Sequence, residues 1–395
     1  MESDEIAKTL KLWVRRKRGT KKLICSGCGR HCADIHEITE REVRDLPWAQ
    51  YRTTVLVEMY RVRCPDCGPR VEKVAQLPSK APFSKRFEEE VGKACESASA
   101  RQVARRMGLA ESTVRAIDLR YLERWEASRR KSSLRQMGVD EIYRGKKGKF
   151  LTVVCNLETG EPLWFGNARK KETLDEFFRS QLAARQRKRI EAACVDMWRP
   201  FRLSIEQWAP ACKIVYDKFH ILQHANDAID QVRRAEFFRQ GKTKRGLIKG
   251  KKWLLMSRWR NLSGPQRGML NRLFQIYRRV FKAYMLKESL ENLWNYRYAG
   301  AMINYLKNWI SQLKWQRLIP FERLANMLVK HLDGILNYCH TKVRFGVVEA
   351  VNGNIRMLIN RGRGYTNLRY LLLKAKRIAV ANIEFMTFQT LRKAA

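Results

Sequence analysis

Residues 134–143 read LRQMGVDEIY, and residues 190–201 read IEAACVDMWRPF. Each holds a short apolar run closed by an acid, Asp140 in the first and Asp196 in the second. Runs of this length, bounded by polar residues, predict strands buried in a sheet. Between them KFLTVVCNLETG (149–160) predicts a second strand and EPLWFGNAR (161–169) a third. The turn Glu158–Thr159–Gly160–Glu161 joins these two as a hairpin. KKETLDEFFRSQLAARQRKR (170–189) is patterned as an amphipathic helix. RPFRLSIEQWAP (199–210) predicts another helix, and CKIVYDKFH (212–220) a fifth strand. Three strands in a meander, followed by alternating helix and strand, is the ribonuclease-H-like α/β order.

That order has chemical consequences. It sets Asp140 on a central strand and Asp196 at the end of the strand beside it. Two aspartates so placed offer hard oxygen ligands to Mg²⁺, or to Mn²⁺ in its place. A two-metal phosphodiester site needs a further carboxylate, and Glu349 supplies it from a late helix, RFGVVEAVNGNIRMLINRGRGY (344–365). Asn352 and Arg356 follow at three and seven residues, on the same helical face. Asp217 rivals Asp196 for the second position. With His220 and His224 it is expected to pack around the site and orient it. Glu141 is expected on the opposite side of its strand from Asp140.

Upstream, CSGCG holds Cys25 and Cys28, and CPDCG holds Cys64 and Cys67. Two paired thiols of this spacing predict a structural Zn²⁺ in a closed four-thiolate site. The strand-like YRTTVLVEMYRVRC (51–64) between them predicts a ribbon, with an insertion lengthening the gap. His31 and Cys32 are expected to be bystanders. ARQVARRMGLAESTVRAIDL (100–119) fits a helix-turn-helix: Ala104 where the helices touch, Gly108 at the turn, and Val103, Met107, Leu109, Val114 and Ile117 buried. Ser112 is expected to cap a second helix that carries Thr113, Arg115, Arg120 and Arg124 towards DNA.

The 395 residues carry 80 Lys and Arg against 39 Asp and Glu, a formal charge of +41. Such self-repulsion calls for a polyanion, and double-stranded DNA is the expected partner. The first residues show no apolar signal region, and no stretch nears the ~20 apolar residues that span a bilayer. A cytoplasmic, nucleoid-associated protein with reduced thiols and no membrane partner is expected. Five segments follow: a zinc ribbon over 1–80, the helix-turn-helix over 83–130, and the first part of the catalytic core over 134–230. A helical region over 231–340 and the last core helices over 341–395 complete the chain. GKTKRGLIKGKK (241–252) is expected to be a basic loop on phosphates.

Together the cysteine pairs, the helix-turn-helix and the motifs MGVDEI, CVDMWRPF, IVYDKFHILQHANDAIDQVR and VVEAVNGNIRMLINRGRGYTNLRYL resemble the ISL-three family of insertion-sequence transposases. The resemblance covers nearly the whole chain. It implies a DDE enzyme with Asp140, Asp196 and Glu349 as its triad, YDKFH as a motif outside the triad, and an all-helical insertion. Ala350 stands where members usually carry Gly. The function implied is binding of terminal inverted repeats, strand cleavage and 3′-hydroxyl transfer to target DNA, by a homodimer or larger assembly on DNA. Two other readings remain: a non-catalytic zinc and helix-turn-helix regulator, and a structure-selective nuclease on the same fold.

Overall fold

A computed structural model describes residues 1–16, 23–77, 82–145, 149–239 and 241–380. The chain forms two units, Met1–Arg130 with Asn360–Arg377, and Lys131–Ile359 with the chain from Ile378.

The first unit opens with β1 (Glu2–Asp4), β2 (Thr9–Val14), β3 (Leu23–Ile24), β4 (His31–Cys32), β5 (Ile35–Arg44), β6 (Arg52–Cys64) and β7 (Gly68–Val71). One sheet runs β1-β2-β6-β5, with β7 also on β6, while β3 and β4 pair as a small ribbon. The insertion between the cysteine pairs is thus the long hairpin of β5 and β6, which packs Val43, Val55 and Met59 against Leu77. Helices α1 (Lys85–Ser97), α2 (Ala100–Met107) and α3 (Glu111–Ser128) follow. Ser84 caps α1 by accepting from the Phe87 N–H, and Ser99 forms a capping box with Gln102 at α2. Gly108 takes the left-handed conformation, φ 59°, that ends α2. Ser112 does not cap α3. The Val114 N–H already bonds the Ala110 carbonyl, so the helix starts two residues early and Ser112 falls inside its first turn. Residues 360–377, expected among the last core helices, lie in this first unit, with a helix starting at residue 368.

The second unit holds β8 (Gln136–Gly145), β9 (Lys149–Asn156), β10 (Pro162–Gly166), β11 (Ala192–Val195) and β12 (Lys213–Tyr216). Their order in the sheet is β10-β9-β8-β11-β12, antiparallel from β10 to β8 and parallel from β8 to β12. Gly160, at φ +70°, closes the β9–β10 turn, and its N–H bonds the Asn156 carbonyl at 2.8 Å. Helices α4 (Lys171–Gln181), α5 (Ala184–Arg187) and α6 (Arg199–Trp208) connect the later strands. Leu174, Phe177 and Phe178 of α4 and Phe201 of α6 are fully buried with Met137 and Val139 of β8. Burial of each large side chain stabilises the unit by about 1.5–3 kcal/mol. The buried Asp175 ties α4 to α6, accepting from Ser204 Oγ at 2.6 Å and Trp208 Nε1 at 2.9 Å.

Helices fill the rest of this unit: α7 (Lys218–Arg239), α8 (Lys242–Ile248), α9 (Lys252–Met256), α10 (Gly264–Ile276), α11 (Arg278–Leu290), α12 (Ala299–Ser311), α13 (Ile319–Lys330), α14 (Leu332–Thr341) and α15 (Val347–Arg361). The basic stretch 241–252 is therefore largely helical, in α8. Trp294 and Trp309 are core residues, whereas Trp253 and Trp315 are exposed. Among the described residues no helix is long and apolar enough to cross a membrane.

Candidate metal and nucleic-acid sites

Strand ends and tight turns build the thiol cluster. Cys25 follows β3 and Cys64 ends β6, and Gly29 (φ +80°) and Gly68 (φ +67°) let the chain turn back after each pair. The Sγ atoms of Cys25, Cys28, Cys64 and Cys67 all lie within 4.8 Å of one another, with Cys28 and Cys64 at 3.5 Å. Zinc–sulfur bonds of 2.3 Å in a tetrahedron place sulfurs about 3.8 Å apart, so this donor set fits Zn²⁺. Burial raises the Cys64 thiol, but the N–H groups of Cys67 and Asp66, together with the Cys28 and Cys25 thiols, outweigh it and bring Cys64 down to about 6, while the same two thiols push Cys67 up to about 12. The Cys64 thiol is prepared to bind as thiolate. His31 is exposed, and Cys32 points its Sγ to the Arg30 carbonyl at 3.8 Å, so both stand outside the cluster.

In the helix-turn-helix, Val103, Ala104, Val114 and Ile117 form the buried contact, with Met107 and Leu109 against it. Thr113 is half-buried on the first turn of α3, and Arg115 is exposed and ion-paired to Glu111 at 2.6 Å. Arg120 and Arg124 are engaged differently. Both bind the fully buried Glu88 of α1, Arg120 Nε at 3.2 Å and Arg124 at 3.1 Å, and so clasp α1 to α3. Arg101, Arg105 and Arg106 of α2 are exposed, a basic edge that the motif did not single out.

The acids of the second unit lie in register. Val139 of β8 pairs with Val195 of β11, and Val195 with Tyr216 of β12. The next residues, Asp140, Asp196 and Asp217, therefore stand level across three neighbouring parallel strands, which lie about 4.8 Å apart. The Asp217 N–H bonds the Val195 carbonyl at 2.9 Å, which continues this register. Gly138 admits α15: a Cβ there would meet Val348 Cγ2 at 2.5 Å. Close approach brings Asn352 Nδ2 to Asp140 Oδ2 at 2.7 Å and leaves Asn352 Oδ1 buried without a partner among the described residues. Glu349, one turn earlier, is exposed and near enough to Asp217 to raise it. Arg356, one turn later, is exposed.

Each remaining acid has a protein neighbour. Arg169, after β10, pairs with Asp196 at 2.8 Å and with Glu141 at 2.5 Å, and stacks 4.5 Å over Trp198. Glu141 is thus tied to the site, not remote from it. Burial pushes its carboxyl up to about 7 despite Arg169. Burial also raises Asp217, although its Oδ1 accepts the Phe219 N–H at 2.9 Å. His220 Nε2 lies 3.5 Å from Asp140 Oδ1, and this bond, against burial, pushes His220 up to about 9. Among the described residues the four cysteines form the one group of metal-ligating atoms all within 4.8 Å; the carboxylates are spread wider. Arg169 had no motif to betray it, since it sits in an irregular loop.

Residues 137–375 match the family model of the ISL3 DDE transposase, over more than half of the chain. The chain belongs to the ISL3 family of transposases. Residues 21–67 match the zinc-finger of the transposases IS204/IS1001/IS1096/IS1165, and residues 72–122 the helix-turn-helix domain of transposase family ISL3. The transposase is similar to that for insertion sequence element IS1001 of Bordetella parapertussis, 30% identical over 377 residues, 94% of this chain and 92% of that one. It is also similar to the transposase for insertion sequence element IS1557 of Mycobacterium tuberculosis, 25% identical over 379 residues, 89% and 84% of the two chains. This transposase therefore combines a zinc ribbon, a helix-turn-helix for DNA and a DDE catalytic domain.

Proposed function

We propose that this transposase binds the terminal inverted repeats of an insertion sequence through its ribbon and helix-turn-helix. It then cuts and joins DNA at Asp140, Asp196 and Glu349. One observation carries the catalytic part: Asp140 and Asp196 stand level on adjacent parallel strands, and Asn352 of α15 reaches Asp140, bringing the helix that carries Glu349 to the sheet. The strand order β10-β9-β8-β11-β12 supports a ribonuclease-H-like core over 134–230, with the helices over 231–340 as an insertion. Three carboxylates and the unpartnered Asn352 Oδ1 are hard donors suited to Mg²⁺. Asp140, Asp196 and Glu349 would hold divalent ions there, whose Lewis acidity would serve to activate water or a 3′-hydroxyl and to stabilise the leaving oxygen.

The chain's own residues prepare that chemistry. Asn352 fixes the Asp140 carboxylate by donating to one oxygen, and His220 donates to the other. Arg169 holds Asp196 in line with Asp140. Arg356, on the exposed side of α15, is placed for a phosphate, and Thr113 and Arg115 for a DNA groove. Transposition pairs two ends, which calls for a homodimer or larger assembly on DNA, at work on the nucleoid in the cytoplasm.

The full chain, incubated with Mg²⁺ and a duplex carrying the element's end, should nick the end and join it to a second duplex. Asp140→Asn should do neither. Cleavage that survives Asp140→Asn overturns the assignment, and nicking without joining would make the protein a nuclease.

A further inference from the structure

The residues that follow Ile359 do not at once continue the unit that holds the acids. From Asn360 to Arg377 the chain belongs to the unit that holds the ribbon and the helix-turn-helix. The attachment is specific. Arg361 donates to the Ser97 and Glu96 carbonyls at the end of α1, at 3.2 and 3.4 Å. Tyr370 and Leu373 bury themselves against Leu122 of α3, with Leu119, Tyr121 and Tyr365 around them. Lys374 is buried and bonds Asp118 of α3 at 2.6 Å and the Cys95 carbonyl at 2.7 Å, and Tyr370 donates to the same Asp118. Arg369 pairs with Glu123, Lys376 with Glu126 and Arg377 with Glu96, each at 2.9 Å.

Arg361–Gly362–Arg363–Gly364–Tyr365 is the turn that leads into this helix. A Cβ at Gly362 would meet the Tyr365 ring at 2.6 Å, so the turn is folded tightly on Tyr365. Tyr365 in turn lies close enough to Asp118 and Arg115 of α3 to feel both charges. Arg363 itself is exposed at φ +53°, between Gly362 and a Gly364 at φ +101°. Glycine adopts that conformation freely, whereas a side chain adopts it against strain. The cation is thus held in a strained position beside the recognition helix, and its guanidinium has no partner among the described residues.

We infer that residues 361–377 complete the DNA-binding unit and that Arg363 holds a DNA backbone phosphate alongside the groove that α3 enters. Phosphate contacts set a recognition helix in register without reading sequence. A compact turn flanked by glycines lets backbone and guanidinium approach a strand closely. The inference rests on the reading of α3 as a recognition helix.

The test measures binding of the full chain, without divalent ions, to a duplex from the element's end and to a scrambled duplex, across salt concentrations. Arg363→Gly should melt at the same or a higher temperature, because the strain is removed. It should bind the end about 8-fold more weakly at 0.1 M salt and lower the salt slope by about 0.9, the share of one phosphate. Arg363→Lys should keep most of the affinity. Unchanged affinity and slope in Arg363→Gly overturn the inference, and so does a fall in melting temperature, which would make Arg363 structural. If the wild-type chain itself does not prefer the end, the reading of α3 fails. The slope of Arg363→Gly on the scrambled duplex then still decides whether Arg363 holds a phosphate.

Discussion

The thiol cluster and the carboxylate row are both sets of metal donors, yet the protein builds them by opposite means. Four cysteines, grouped in two local turns, bring their sulfurs within 4.8 Å of one another. The acids come from β8, from the ends of β11 and β12 and from α15; Asp140, Asp196 and Asp217 each have a protein neighbour, Asn352, His220, Arg169 or a backbone N–H, while Glu349 is exposed. Donors drawn together by short-range sequence form a closed site that holds a fold. Donors drawn together by the sheet, and balanced by cations, can exchange those cations for ions and substrate. The first site should therefore fail as structure, and the second as chemistry.

The largest effect should come from the thiols. Removing zinc with a chelator, or Cys25→Ser or Cys64→Ser, should unfold the ribbon, since structural zinc contributes on the order of 10 kcal/mol of folding energy in small sites. Thiol labelling should then reach every cluster cysteine that remains, while Cys95, whose thiol burial pushes up to about 12, stays unreactive as long as α1 is folded. Full zinc content in both variants would break the comparison. Next come the acids. Asp140→Asn, Asp196→Asn or Glu349→Gln should lower cleavage and joining by about 10³-fold or more, the share of several kcal/mol of metal stabilisation. Zinc content and end binding should not change. If Asp217→Asn proves as damaging as Glu349→Gln, the triad has been drawn around the wrong acid.

The contrast also explains what could be read in advance. Cysteine pairs, the Gly108 turn and the apolar runs that end at Asp140 and Asp196 are patterns of period and spacing, and the chain displays them locally. The salt links are not local. Arg120 and Arg124 sit on the helix expected to face DNA, but only the fold shows that the buried Glu88 lies beneath them. Arg169 connects Glu141 and Asp196 from a loop without periodicity. Residues 360–377 follow the Glu349 helix in sequence, and sequence order alone groups them with the core. Their apolar face, Tyr370 and Leu373, fits Leu122 equally well in pattern, and packing alone decides.

A smaller effect should set the Asn352 amide apart from the carboxylates. Asn352→Ala removes the bond that orients Asp140 but leaves every carboxylate in place. Loss of such an orienting partner costs about 10–100-fold in metal affinity or activity. The Mg²⁺ concentration for half-maximal cleavage should rise, and saturating Mg²⁺ should restore much of the rate. Loss that no Mg²⁺ concentration recovers would make Asn352 a direct participant.

The smallest effect concerns the charge balance of the acid row when no divalent ion is present. His220 is pushed from 6.5 to about 9, first by its bond to Asp140. The folded state keeps this proton while the unfolded chain releases it near 6.5. The stabilisation is therefore complete below 6.5 and is lost as pH rises through 9. Glu141, raised to about 7 by burial, holds its proton longer in the fold than in the unfolded chain, and so favours acid conditions in the same way, over about 4.5 to 7. Without divalent ions, the melting temperature of the wild-type catalytic unit should fall by a few degrees between pH 6.5 and 9.5. His220→Gln should flatten that slope, and so should Mg²⁺, which supplies the positive charge in place of the imidazolium. The thiol cluster predicts the reverse slope at low pH, where protons compete with zinc for sulfur. A His220→Gln protein that keeps the wild-type slope between pH 6.5 and 9.5 would show that the row is balanced by Arg169 alone.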